Sequence, residues 1–189
     1  MENDTVYIFS DGGYQSNNGV GAYAVKFYNE NNLSLFSRYD RVQGLDVPKD
    51  ANFAEMLGLR YVLTVIRDSS VFYGKEIVIC LDSMNCINII KNYKKWLKNG
   101  WKTTNNKNVK HKQLIIQINT LFDEIMNQEK DVVFEHIKSH KEPPKDKNSE
   151  EFLIWEMNDL VDFLCYNEMI KKKKIIKNNK IIKRIKTIK

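Results

Sequence analysis

The chain has 189 residues, 42% hydrophobic, 29% charged and 11% aromatic, which suits one well-packed domain of roughly 150 residues plus an extension and excludes wholesale disorder. Ten of the 30 Lys and Arg fall in residues 171–189, which hold no acid; the other 20 face all 24 acids in residues 1–170, so a mildly acidic domain of net −4 carries a strongly basic tail. No apolar run approaches a membrane span, and the Met-Glu-Asn-Asp opening, without a basic segment and an apolar stretch behind it, speaks against a secretory leader.

Residues 5–10 (TVYIFS) read as a buried strand that stops at Asp11-Gly12-Gly13, and Tyr14–Gly19 as a turn. Val20–Tyr28 and Leu33–Val42 read as strands joined by the turn NENN, followed by a loop at Gly44–Lys49. In residues 52–68, Met56, Leu59, Leu63 and Ile66 recur at helical spacing and predict an amphipathic helix with Glu55 in its first turn. Glu76–Leu81 predicts a second apolar strand, ending at Asp82-Ser83. Met84–Tyr93 then reads as a helix, 94–112 as a basic irregular stretch, Leu114–Ile125 as a helix and Asp131–Lys138 as a strand.

Pro143 and Pro144 mark residues 141–148 as a loop, and a last helix starts near Asn148, where Asn148 and Glu151 have approximate capping-box spacing. Its apolar stripe is Leu153, Leu160 and Leu164. The order β-β-β-α-β-α-α-β-α describes a mixed α/β domain over residues 1–170, followed by the tail 171–189. The three cysteines, Cys80, Cys86 and Cys165, are odd in number, lack metal-ligand spacing and sit among apolar residues, as reduced thiols of an intracellular protein would. The tail, KKKKIIKNNKIIKRIKTIK, reads as a solvated extension or as an arm drawn to phosphate by counterion release. A nuclear-import signal remains open. So does an amphipathic helix, because Ile181, Ile185 and Ile188 fall at i, i+4, i+7.

Four carboxylates stand out. The strands VYIFS and EIVICL each end at an Asp, and sites of open α/β sheets gather at the carboxyl ends of parallel strands; turn chemistry alone also places Asp there. Glu55 lies in an apolar setting near a helix start, which the helix dipole alone would favour. Asp162 sits amid Leu160, Val161, Phe163 and Leu164, four residues after Asn158 and on its face, where a polar helix face is the plainer reading. His140 follows the last strand and reads by itself as a surface loop residue.

Taken together, YIFSDGGYQSNNGVGAYAV, NFAEMLGLRYVL, IVICLDS, KKWLKNGWKT, FEHIKSH and NDLVD resemble, in order and over about residues 5–168, the type 1 ribonuclease H family. The resemblance implies a five-stranded mixed sheet of order 3-2-1-4-5 with helices on both faces. It implies endonucleolytic hydrolysis of the RNA strand of RNA–DNA hybrids, leaving 5′-phosphomonoesters, and Mg²⁺ held by Asp11, Glu55, Asp82 and Asp162. His140 would act in proton transfer or product release.

The physics of the donor set agrees. Phosphodiester hydrolysis needs an activated hydroxide and stabilised attacking and leaving oxygens, which two Mg²⁺ ions can supply, with Mn²⁺ as a substitute. Carboxylates without a Cys or His pair suit such hard ions rather than zinc.

By the same resemblance, Asn17 and Asn52 match positions that touch the nucleic-acid backbone or 2′-hydroxyls, and the Gly12 and Gly13 amides leave room for RNA. KNYKKWLKNGWK resembles a basic protrusion that grips DNA; its Lys94, Lys95, Lys98, Trp101 and Lys102 are the candidate contacts, against a plainer reading of core tryptophans and solvated lysines. Three positions depart from the family pattern: Met84 replaces a Gln, Asp50 replaces a phosphate-binding Thr, and an added Glu150–Met157 stretch lies between His140 and Asp162. The expected partner is a hybrid duplex, with no membrane, and the expected state is a monomer in the cytoplasm or nucleus, of viral origin among other sources. Two other readings are a nuclease of the same fold acting on DNA, of resolvase or integrase type, and a non-catalytic nucleic-acid-binding module.

Overall fold

The computed structural model describes residues 4–17, 19–29, 36–42, 50–139 and 141–186, with the side chain of Phe36 and those beyond residue 171 left out. The expected Gly44–Lys49 loop, the NENN turn past Asn29, the start of the Leu33–Val42 strand and His140 lie outside the described residues.

Among the described residues, nine strands and α-helices make the domain: β1 (Val6–Gln15), β2 (Val20–Asn29), β3 (Phe36–Val42), α1 (Ala51–Asp68), β4 (Glu76–Leu81), α2 (Met84–Lys98), α3 (Lys112–Asn127), β5 (Asp131–His136) and α4 (Glu150–Lys186). The strands form one sheet in the expected order β3-β2-β1-β4-β5. β1, β2 and β3 pair antiparallel, while β4 runs parallel to β1 and to β5. Tight turns can join antiparallel neighbours, but parallel ones need crossovers, and α1 and then α2 with α3 supply them.

Strand alternation sorts the apolar side chains onto two faces. Val6 and Ile8 of β1, Val25 and Phe27 of β2, and Ile77 and Ile79 of β4 pack against α1, α2 and α3 in the larger cluster. Phe9, Ala22, Ala24, Val78 and Cys80 meet Val161, Cys165 and Met169 of α4 on the other face. The expected α4 stripe of Leu153, Leu160 and Leu164 is therefore rotated. The small residues of β1 and β2 decide the seating: a Cβ on Gly13 would lie 2.9 Å from Met169 Cε and 3.6 Å from Cys165 Sγ, so α4 lies close against a strand surface that lacks bulk. Arg41 of β3 holds Glu168 of α4 at 2.8 Å.

Several boundaries move for identifiable reasons. The helix start expected at Asn148 is capped instead by Ser149, whose Oγ accepts from the Phe152 amide at 3.1 Å. α2 continues through Lys98, so the irregular stretch begins after it rather than at residue 94. The backbone of α4 remains helical to Lys186, across the boundary expected between residues 170 and 171. All three cysteines are buried and free, and burial pushes each thiol's pKa up.

One buried cation ties the two layers together. Lys130, 2% exposed, donates from Nζ to the carbonyls of Ile66 at 2.5 Å, Arg67 at 3.1 Å and Ser69 at 3.0 Å, closing the C-terminus of α1. Its pKa is lowered by burial, and the ammonium stands 4.5 Å from the centre of the Tyr73 ring. Lys130→Met leaves these carbonyls without their donor and should cost about 2–4 kcal/mol in urea denaturation. A loss under ~0.5 kcal/mol would show that water replaces the ammonium freely.

Candidate active site

The parallel pairing of β1 with β4 ends at Ser10↔Leu81. Asp11 and Asp82 are the next residues on these neighbouring strands, whose backbones run about 4.8 Å apart. β1 does not stop there, contrary to the sequence expectation. It continues against β2 as far as Gln15↔Val20, with Asp11 opposite Ala24, because the hairpin partner still satisfies its backbone. The end that matters is the end of the parallel ladder.

Alternation points Asp11 to the same side as Phe9, toward α4, and Gly12 to the opposite side, toward α1. There a Cβ on Gly12 would lie 2.3 Å from the Glu55 amide nitrogen and 2.6 Å from Glu55 Cα. This close approach brings Glu55 to the strand that carries Asp11. Glu55 is the fifth residue of α1, hence in its second turn rather than the first, because Asp50 caps the helix by accepting from the Phe53 amide at 3.0 Å. Ser83, directly after Asp82, caps no helix with its side chain; its Oγ donates to Glu55 Oε2 at 2.5 Å. Asp162 is exposed on α4, so no unpaired charge is buried there, and it faces a groove of about 610 Å³ that Asp11 and Asp82 also line.

Electrostatics binds the four into one group. Burial pushes the Asp11 carboxyl up to about 7; Asp82, Asp162 and Glu55 push the same way, and the Gly12 N–H, 2.7 Å from Asp11 Oδ1, opposes them. Burial also raises the Glu55 pKa, with Asp82 adding to it and the Ser83 hydroxyl opposing it. Among the described residues no three His, Cys, Asp or Glu side chains form a ready-made ion cage; one oxygen of Asp11 accepts from the Gly12 amide and one of Glu55 from Ser83. The donors of the group are all carboxylate oxygens, the chemistry a hard divalent cation prefers.

A family model, RNase H, matches residues 3–153. The chain belongs to the RNase H family. A ribonuclease H of Ruthia magnifica subsp. Calyptogena magnifica is 27% identical over 137 residues, covering 71% of this chain and 83% of its own. Two solved structures share the fold. The PFV RNase H domain in solution has a TM-score of 0.62 at 14% identity, covering 89% of this chain and 94% of its own. LC11-RNase H1, in complex with an RNA/DNA hybrid, has 0.55 at 20% identity, covering 89% and 98%. The coarse activity class is accordingly that of a ribonuclease H-like nuclease. The matched range ends before Asp162, whose place in the group rests on the seating of α4 and on its field at Asp11.

The other candidates of this RNase H chain divide. His140 lies outside the described residues, but its neighbours Ser139 and Lys141 line the groove. The missing side chains of Gly12 and Gly13 have a packing reason in α1 and α4, separate from the expected room for RNA. Asn17 is exposed in the β1–β2 turn, and Asn52, also exposed, accepts from Asn85 Nδ2 at 2.9 Å. Lys94, Lys95 and Lys98 are exposed along α2. Trp101 is half-buried, edge-on to Tyr93 with ring centres 6.0 Å apart, and Lys112 Nζ lies 5.1 Å from its ring centre. Lys102 donates to Asn108 Oδ1 at 2.6 Å.

Asp50 takes a second role besides its cap, meeting His111 Nε2 at 2.9 Å. Burial works against its charge, but the Phe53 amide and His111 hold its pKa below the ordinary carboxylate value. Met84 opens α2 and is exposed. Sequence reasoning missed Ser83 and Trp155, as well as His136, whose Nε2 lies 3.1 Å from the Asp82 carbonyl.

Proposed function

We propose that this chain hydrolyses the RNA strand of RNA–DNA hybrids internally, leaving 5′-phosphomonoesters, with Asp11, Glu55, Asp82 and Asp162 holding two Mg²⁺ ions. One observation carries the reading: three acids remote in sequence, Glu55, Asp82 and Asp162, act on a fourth carboxyl, that of Asp11, at the end of a parallel strand pair. Like charges crowded round one buried carboxyl are suited to cation binding. When bound, such ions activate water and stabilise the attacking and leaving oxygens of phosphodiester hydrolysis.

The chain's own residues orient that chemistry. The Gly12 amide fixes one oxygen of Asp11, and Ser83 fixes one oxygen of Glu55. His136 restrains the Asp82 backbone. His140, next in sequence to the groove residues Ser139 and Lys141, would move a proton or help release product. Asn17 and Asn52 would meet the sugar-phosphate backbone or 2′-hydroxyls, which only the RNA strand of a hybrid carries. Lys94, Lys95, Lys98, Trp101 and Lys102 would contact the DNA strand, where cations meet phosphate and a ring meets sugar or base.

A side-by-side assay on hybrid, duplex DNA and duplex RNA, with and without Mg²⁺, tests the reading. Cleavage of the hybrid alone, dependent on the ion, is the expected result. Preference for duplex DNA would favour the resolvase-like reading, and no cleavage in Mg²⁺ or Mn²⁺ would leave a binding module. The ion should also raise stability by about 2.7 kcal/mol at a hundred times its Kd, seen as a higher Tm. An unchanged Tm at millimolar Mg²⁺ would remove the acids from ion binding.

A further inference from the structure

We propose that Trp155 is a positioning residue that tethers the loop after β5 to the helix bearing Asp162; the proposal rests on the hybrid-hydrolysis reading above. Trp155 lies in the Glu150–Met157 stretch that departs from the family pattern, and this stretch forms the first turns of α4. Its indole Nε1 donates to the Lys141 carbonyl at 3.0 Å. The ring is supported by Phe152, with centres 5.5 Å apart.

Trp155, Asp159 and Asp162 fall at i, i+4 and i+7, so one helix face carries all three, and all line the groove. From Trp155 to Asp162 the helix rises about 10 Å. The loop residues Lys138, Ser139, Lys141 and Pro144 line the same groove. A rigid helix thus sets the distance between the carboxylate group and the backbone next to His140.

Pro143 and Pro144 have no backbone N–H to offer. Among the described residues, the bond from Trp155 is the one hydrogen bond to residues 138, 139 and 141–145. The preceding restraint is the Ile137 amide on the Leu81 carbonyl at 2.9 Å, and the following one is the Asn148 amide on Asp146 Oδ1 at 2.9 Å. The tether sits midway between them.

The test is Trp155→Phe in the full chain, which keeps a ring against Phe152 and removes only the N–H. Loss of one hydrogen bond should lower kcat on a hybrid roughly fivefold with KM within about twofold. The loss should vanish in a His140→Ala background, because the tether acts through the loop. Independently of activity, tryptic cleavage after Lys138 and Lys141 should quicken roughly fivefold relative to cleavage after Lys98.

An unchanged kcat, an equal loss with and without His140, or unchanged loop proteolysis each overturns the proposal. If the wild type cleaves no hybrid, the hydrolysis reading fails, and the proteolysis comparison alone decides whether the tether exists.

Discussion

Asp11→Asn should lower hybrid cleavage by at least about a thousandfold, the scale set by losing several kcal/mol of charge stabilisation at the reacting phosphate. Binding of the hybrid should stay within a few-fold, because the proposed contacts of Asn17, Asn52 and the α2 lysines are untouched. The substitution is close to isosteric, and Asn keeps an oxygen to accept from the Gly12 amide at 2.7 Å. A variant that retains cleavage within tenfold of wild type would remove Asp11 from the chemistry.

The same substitution has an opposite effect on stability. The Asp11 carboxyl is pushed up to about 7 from an ordinary value of 3.8, by burial first and then by Asp82. Between these values the folded chain binds a proton that the unfolded chain has released. This contribution favours folding at pH 4 and below and is lost as pH rises through 7, leaving a penalty on the order of 4 kcal/mol at pH 8. In chelator, wild type should therefore lose Tm between pH 5 and pH 8 relative to Asp11→Asn, which carries no such charge. The upward shift at Glu55 acts in the same direction in both proteins and cancels in the comparison. Parallel Tm curves for the two proteins would mean that the crowding at Asp11 is absent in solution.

Much of this site was legible in the sequence because its acids sit where chain patterns change. Asp82 closes an apolar run that becomes β4, and Asp11 closes the part of β1 that pairs with it. What escaped depends on contacts between remote segments. Nothing in VYIFSDGG shows that β1 continues to Gln15, since that follows from β2 running beside it. The stripe of leucines in α4 is regular, yet Val161, Cys165 and Met169 are the ones buried, because Gly13 and Ala22 on the sheet select the face. The first turn assigned to Glu55 slipped by one because the N-cap of α1 is Asp50, read only as the replacement of a phosphate-binding Thr. Trp155 carried a readable signal, its seven-residue spacing from Asp162, but its partner is a backbone carbonyl that no side-chain pattern reveals.

Gly12→Ala should be among the most destabilising single-methyl changes this fold can receive. The added Cβ would lie 2.3 Å from the Glu55 amide nitrogen, 2.5 Å from the Ala54 carbonyl carbon and 2.6 Å from Glu55 Cα. All three are backbone atoms of α1, so no side chain can swing away, and either the helix or the strand must move. α1 is held on its other sides by Leu59, Val62, Leu63 and Ile66, all fully buried, so its movement strains the larger core. The cost should reach about 3 kcal/mol or more, the upper range for overpacking.

The displaced segment is the one that bears Glu55, so the effect should not be confined to stability. Moving it away from β1 loosens the Ser83–Glu55 hydrogen bond and opens the carboxylate group. Cleavage measured well below the variant's Tm should therefore fall by more than tenfold, and the Mg²⁺ concentration for half-maximal rate should rise. Gly13→Ala is the control, because its new methyl meets the flexible end of Met169 at 2.9 Å, which can rotate aside, and its cost should be about 1 kcal/mol. Equal losses for the two variants would mean that the close approach of α1 to β1 is not what places Glu55.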